Sequence, residues 1–283
     1  MTLIDLKPAA SAPRADFVAA LNRAYADYYV PIHLHESSFE ELVQREDIKL
    51  ESSIAAHDNG AIVGLGMLGV RGARGWIGGM GVVPERRGQG VGRQMLNALI
   101  SEARRLGLAR LQLEVIIQNE PAYQLYQSVG FKRLRHLAVL FTGDAPRAIN
   151  GRAPDGITIH DADPAVIVAL LPGLAATVPP WQHDPESMRV IMGRLRGLIA
   201  QRVDGSAAGA VLFVGENDQG AVLALAARSD KVGAALLAEV RRRLPLARLN
   251  FLNVPDDDSM LPALLGAGFS EAVGQHEMIL ELV

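Results

Sequence analysis

The sequence predicts an α/β (α+β) fold built as two tandem halves. Three observations carry that expectation. Residues 79–106 join an apolar strand end, a glycine-rich turn and a helix, in that order. Strand-like and helix-like patterns alternate on both sides of this junction through the first half. A fainter series of the same patterns follows a Gly- and Pro-rich stretch in the second half.

The junction comes first because the rest is arranged around it. Met80 to Val83 is an apolar, β-branched run that reads as the end of a buried strand. Pro84-Glu85-Arg86-Arg87-Gly88-Gln89-Gly90 is a turn. In the helix that follows, Val91, Met95, Leu99, Ala103 and Leu106 recur at three- and four-residue spacing, and Arg104-Arg105 before Gly107 is the stop signal. Gly88, Gly90 and Gly92 permit backbone angles that side chains block. Successive N–H groups can therefore converge as an anion nest at a helix N-terminus, where the dipole also favours negative charge. Arg86 and Arg87 would add positive charge beside it. The turn reads as a phosphate cradle; a turn that binds nothing would use the same residue types.

Gly88-x-Gly90-x-x-Arg93 fails the dinucleotide fingerprint at its last position, and no P-loop run occurs. Arg87-Gly88-Gln89-Gly90-Val91-Gly92 has the spacing R-x-x-G-x-G instead. It resembles the pyrophosphate loop of the GNAT superfamily, the acyl-CoA-dependent N-acyltransferases. A second stretch, Asn119 to Phe131, resembles that family's N-x-x-A-x-x-L-Y pattern followed by Gly-Phe, directly after a strand at 111–116. The resemblance is strong over residues 1–141 and faint beyond.

Taken in order, Thr2 to Leu6 alternates as a first strand. A helix from Asp16 puts Phe17, Leu21, Ala24 and Tyr28 on one face and ends before Pro31. A short helix from Ser38 to Arg45 has Ser38 as N-cap and Glu41 completing a capping box. Strands at 52–56 and 61–70 meet at Asn59-Gly60, a hairpin signal, and Gly72 to Gly75 turns into the strand from Trp76. Leu111 to Val115 is a strand, Pro121 to Val129 a short helix, Leu137 to Phe141 a strand. The order is β-α-α-β-β-β-α-β-α-β. Residues 142–156, rich in Gly, Pro and Asp, read as a linker. The expected division is 1–141, 142–156 and 157–283.

In the second half, Ile157 to His160, Ala221 to Ala227, Arg248 to Asn253 and Met278 to Leu282 read as strands, and Val232 to Leu244 as a long helix. Leu261 to Phe269 echoes Ala122 to Phe131. Arg228 to Gly233 aligns with Arg87 to Gly92, with Ser229 and Lys231 in place of Gly88 and Gly90. Lysine at the second glycine would fill the diphosphate's space, and Asp230 would repel an anion. The second half is expected to share the fold without a working phosphate site.

Composition sets outer bounds. The 283 residues suit about two domains, and 49% hydrophobic with 21% charged residues is ordinary globular usage. A net charge of −3 gives no general reason to bind nucleic acid. There is no cysteine, hence no disulfide framework and no thiol nucleophile. No apolar run approaches membrane-spanning length and no signal-peptide pattern opens the chain, so a cytoplasmic protein without a membrane partner is expected, as monomer or homodimer.

The resemblance implies more: a mostly antiparallel central sheet flanked by helices in each half, acetyl-CoA as acyl donor and an amine as acceptor. The amides of Arg87, Gly88, Gln89, Gly90, Val91 and Gly92 would hold the diphosphate. Val82 and Val83 would pair with the pantetheine arm like an added strand. An N–H between Met80 and Val82 would polarise the thioester carbonyl. Asn119 would contact the arm, and Tyr126 would protonate the leaving thiolate. Plainer roles compete: helix capping for Asn119, core packing for Tyr126. The family often uses a carboxylate on the central strand as base; residues 76–83 contain none. Glu114, His35 and Glu36 are weak candidates, and His33-x-His35 lacks a third metal ligand. Tyr25, Tyr28, Tyr29 and Trp76 would line an acceptor pocket or belong to the core. Trp181-Gln182-His183-Asp184 is a loop polar enough to touch a ligand. The expected function is acetyl transfer to a primary amine of a small molecule. The alternatives are a non-catalytic acyl-CoA sensor and a protein N-acetyltransferase.

Overall fold

The computed structural model describes residues 4–30, 32–143, 148–149, 151–216 and 218–282. It forms two compact units, Met1–Leu134 with His276–Val283, and Arg135–Gln275.

The first half runs β1 (Asp5–Pro8), α1 (Arg14–Ala24), α2 (Glu36–Arg45), β2 (Ile54–Asp58), β3 (Ala61–Arg71), β4 (Arg74–Val82), α3 (Val91–Arg105), β5 (Arg110–Ile116), α4 (Glu120–Gln127) and β6 (Lys132–Thr142). This is the order the sequence predicts. The second half repeats it: β7 (Ile157–Ala162), α5 (Pro164–Leu174), α6 (Pro185–Val190), β8 (Arg196–Arg202), β9 (Ala207–Glu216), β10 (Gln219–Ala227), α7 (Asp230–Arg243), β11 (Arg248–Pro255), α8 (Leu261–Gly266) and β12 (Phe269–Glu281).

In the first unit the strands lie in the order β1-β2-β3-β4-β5, with the end of β12 beyond β5. From β1 to β5 the pairing is antiparallel except between β4 and β5. Asn59 and Gly60 both take positive φ, 49° and 84°, as a tight hairpin turn requires. The parallel step is bridged by α3, because parallel neighbours need a crossover. Met95, Leu96, Leu99 and Ala103 of α3 are fully buried. The helix sits close because β3 carries glycines under it: a Cβ on Gly64 would stand 2.8 Å from Met95 Sδ, and one on Gly66 2.8 Å from Leu99 Cδ1. Met278 and Leu280 of β12 join the same core.

In the second unit the order is β6-β11-β10-β9-β8-β7, again with one parallel pair, β10 and β11. Each unit's sheet thus includes a strand from the other half of the sequence. The sequence division instead assigns residues 135–141 to the first half and 276–283 to the second. Of the segment expected as a linker, residues 144–147 and 150 lie outside the described residues. Gly151 is docked: a Cβ there would meet the Ala234 carbonyl of α7 at 2.4 Å.

Two helix ends differ from expectation. α1 stops at Ala24, and Tyr25 to Tyr29 continue as turns whose phenols reach Met80 O and Gln118 O. α2 starts at Glu36, two residues before Ser38. Asn22 clamps the backbone of Leu34 through both its N–H and its C=O, and the Ser38 hydroxyl, now at the third helical position, accepts from His35 N–H. The capping pair is His35 and Ser38, not Ser38 and Glu41. Of the first predicted strand, Thr2 and Leu3 lie outside the described residues.

Candidate active site

The site begins where two parallel strands part. β4 and β5 pair only from Arg74–Arg110 to Trp76–Gln112, although β4 continues to Val82 and β5 to Ile116. A bulge at Gly78, between the pairs Met67–Gly79 and Leu68–Ile77, bends β4 at the parting point. Beyond it one edge of β4 has no ladder partner on β5. Val83 N–H donates to Val63 O on the β3 side. Successive residues of a strand alternate edges, so Met80 and Val82 face the parting. Val83 does not: its amide is engaged and its side chain is buried core. That corrects the expectation that Val83 pairs with an added strand.

The parting leads into the glycine turn. Gly88 and Gly90 hold φ of 71° and 82°, and a Cβ at either would find nothing within 4 Å. Gly90 is the N-cap of α3, and the first intrahelical bond is Gln94 N–H to Gly90 O. The N–H groups of Val91, Gly92 and Arg93 therefore precede the helical ladder. With left-handed backbone at two positions and open space above it, the turn fits a diphosphate held by main-chain donors.

The two arginines do not supply uncompensated charge there. Arg86 ion-pairs with the buried carboxylate of Asp58, beside the β2–β3 turn. Arg87 forms a bidentate pair with Asp27, 2.7 Å on both arms, and donates to Ala24 O and Val82 O at 3.0 Å. It ties the end of α1 to the end of β4. Its hydrogen bonds hold the Asp27 carboxyl below the usual carboxylate range. The Gln89 amide donates to Glu85 O and closes the turn on itself.

Three phenols gather behind β4. Tyr126 is buried against Phe131, ring centroids 5.9 Å apart. Burial first, and the neighbouring phenols Tyr25 and Tyr28 second, push its pKa far upward, so it stays protonated. Tyr25 donates to Met80 O at 3.3 Å. Tyr28 is also shifted upward, by burial first, with the nearby Asn119 side chain acting the other way. Asn119 caps α4, accepting from Ala122 N–H at 3.3 Å. It thus caps a helix and lies close to the phenols. Glu114 Oε2 accepts from Trp76 Nε1 at 2.8 Å, across the two strands where their pairing ends.

The structure therefore brings Met80, Val82, the glycine turn, Tyr126, Asn119 and Glu114 to one parting of strands. His33 and His35 stack edge to face, 5.3 Å apart, at the start of α2. Among the described residues no group of three or more His, Asp or Glu could hold a metal ion, and no helix is long and apolar enough to cross a membrane. Asp27 is the site residue that sequence reasoning missed. Nothing in its local pattern marks it, because its partner lies sixty positions away.

In the second unit the corresponding turn is shorter. β10 ends at Ala227 and α7 begins at Asp230, leaving Arg228 and Ser229 between them; eight residues, Val83 to Gly90, separate β4 from α3. Ser229 is an ordinary N-cap for Val232 N–H. The expectation that Lys231 crowds a cradle of equal length is corrected: Lys231 lies inside α7.

Residues 18–131 match the sequence profile of the acetyltransferase (GNAT) family. The fold of the whole chain is similar to that of a GCN5-related N-acetyltransferase from Sphaerobacter thermophilus, at TM-score 0.76 and 17% identity over 99% of this chain and 96% of that one. It is similar to a tandem GNAT protein from the clavulanic acid biosynthesis pathway, at TM-score 0.73 and 16% identity over 99% of both chains. A putative acetyltransferase from Pyrococcus horikoshii matches at TM-score 0.67 and 17% identity, over 99% of this chain and 89% of that one. Residues 18–131 thus carry the match to the acetyltransferase (GNAT) family, and the chain as a whole has the doubled fold of a tandem GNAT protein.

Proposed function

We propose that the chain transfers the acetyl group of acetyl-CoA to a primary amine of a small molecule, using the first unit alone. The carrying observation is the edge of β4 without a ladder partner on β5, running directly into a left-handed glycine turn at a helix N-terminus. Acetyl-CoA, when bound, supplies an acyl group activated as a thioester. The amides from Gly88 to Gly92 receive its diphosphate. Met80 and Val82 accept its arm along the open edge, and a β4 amide there polarises the acyl carbonyl. Asn119 orients the arm beside Tyr28. Tyr126 keeps its proton in an apolar setting and gives it to the departing sulfur. Glu114, fixed by Trp76 at the mouth of the parting, is the candidate base for the incoming amine. Tyr25, Tyr28 and Tyr29 offer an aromatic wall that suits a small amine.

The test is calorimetric titration of acetyl-CoA into the full chain and into Gly90→Val. A branched side chain at φ 82° costs about 1–2 kcal/mol of local strain and disturbs the nest. The wild type should bind and the variant, still folded by circular dichroism, should bind at least ~10-fold more weakly. Equal affinity would remove the glycine turn from the site.

A non-catalytic acyl-CoA sensor is the second reading. It is favoured by the lack of any carboxylate on residues 76–83 and by the engagement of Glu114 with Trp76.

A further inference from the structure

The second unit also contains a parting of strands, and it is hollow. β10 and β11 pair in parallel only from Gln219–Arg248 to Ala221–Asn250. A bulge at Leu223 bends β10 just beyond, as Gly78 bends β4. In the angle lies a cavity of about 450 Å³, within the size range of small-molecule sites. Its floor is the β10 stretch from Leu223 to Ala226, with Phe251 and Val254 of β11. Leu171 of α5 and Met188 of α6 close it, and Val178, largely exposed, stands at the rim.

Two features narrow what it takes. With only Arg228 and Ser229 between β10 and α7, and Ser229 capping the helix, no nest exists for a diphosphate. The occupant is therefore not an intact CoA. Among the described residues, the charged side chains that line the cavity are Asp184 and Asp258, with no Lys or Arg. Asp184 is buried and has a partner of its own; one Asp258 oxygen accepts from Met260 N–H at 2.8 Å, with Arg135 close enough to act on the carboxyl, so Asp258 is the carboxylate that faces the cavity. His183, also lining the cavity, lies against the Phe251 ring at 5.3 Å. The wall is otherwise aliphatic. A carboxylate-bearing ligand would meet repulsion, whereas a protonated nitrogen on an apolar body meets complementary charge.

We propose that the parting of β10 and β11 is a second ligand site, specific for a small apolar amine. Burial raises the Asp258 pKa, and an ammonium group beside it would restore the charged form.

The proposal is independent of the acetyl-transfer reading and is tested on the full chain. Binding of 4-phenylbutylamine is compared by calorimetry with that of 4-phenylbutyrate and 4-phenylbutan-1-ol. The amine should saturate one site per chain in this unit, with the carboxylate bound at least ~10-fold more weakly. Asp258→Asn should weaken the amine by about the same factor and leave the alcohol unchanged. Leu225→Trp should fill the floor and abolish binding of amine and alcohol alike; Ala224→Phe replaces it if that variant fails to fold. Equal binding of amine and carboxylate, no saturable binding, or amine binding indifferent to the filling variant would each overturn the proposal. Acetyl-CoA is titrated in parallel. Failure of acetyl-CoA to bind while the amine binds would sink the transferase reading and leave this one standing.

Discussion

At the scale of single residues, Tyr126 separates the two functional readings. Its phenol is buried, its pKa is driven upward, and Phe131 packs against it. If it donates the proton that lets the sulfur leave, Tyr126→Phe removes one oxygen and little packing. The turnover number should fall by about 10²–10⁴-fold, with the dissociation constant for acetyl-CoA nearly unchanged. A sensor or a purely structural tyrosine predicts no such split. Arg87 makes a geometric claim instead. Its planar fork holds Asp27, Ala24 O and Val82 O at once, which the point charge of lysine cannot reproduce. Arg87→Lys should therefore weaken acetyl-CoA binding by roughly 10-fold although the charge is kept. Unchanged affinity would mean that charge alone matters. The sign of the linked titration is fixed. Because Arg87 depresses the folded-state pKa of Asp27, the pair contributes fully above the ordinary aspartate range and is lost as pH falls through the depressed value. A carboxyl-carbon NMR titration should show Asp27 moving back toward the ordinary value in Arg87→Ala.

At the scale of elements, two turns in corresponding places do different work. Between β4 and α3 the chain takes eight residues, two of them left-handed glycines; between β10 and α7 it takes two, and a serine caps the helix. Acetyl-CoA should accordingly titrate to one molecule per chain, and a second molecule bound in the second unit would contradict the geometry. The first turn was legible in the sequence because its glycines sit in a recognisable spacing between clear strand and helix periodicities. The second is only two residues long, a difference that an ungapped match of the two halves does not show. β8 and β9 carried little signal either. Residues 207–215 are apolar throughout, and a strand buried on both faces loses the alternation that identifies one. The phenol cluster was visible only as three nearby tyrosines. Their meeting with Tyr126 and Asn119 depends on α1 ending at Ala24, which no local pattern announced.

At the scale of the molecule, the halves of the sequence and the compact units are not the same objects. The last residues of β12 pack with the first unit: Met278 is fully buried in the cluster that holds Leu111, Leu113, Tyr126 and Phe131, and the His276 ring lies 4.9 Å from that of Tyr123. Leu282 N–H donates to Ala109 O at the start of β5. A strand read from sequence as closing the second half therefore supports the helix that carries Tyr126, a long-range pairing that periodicity cannot assign. Met278→Ala should destabilise the first unit by about 2–5 kcal/mol, the range for deleting a large buried side chain. Amide exchange should quicken across residues 110–131 and stay unchanged in β8 and β9. Because Met278 shares its core cluster with Tyr126, turnover should fall along with stability, while 4-phenylbutylamine still binds in the second unit. Faster exchange in the second unit alone would return the end of β12 to the half of the sequence in which it is written.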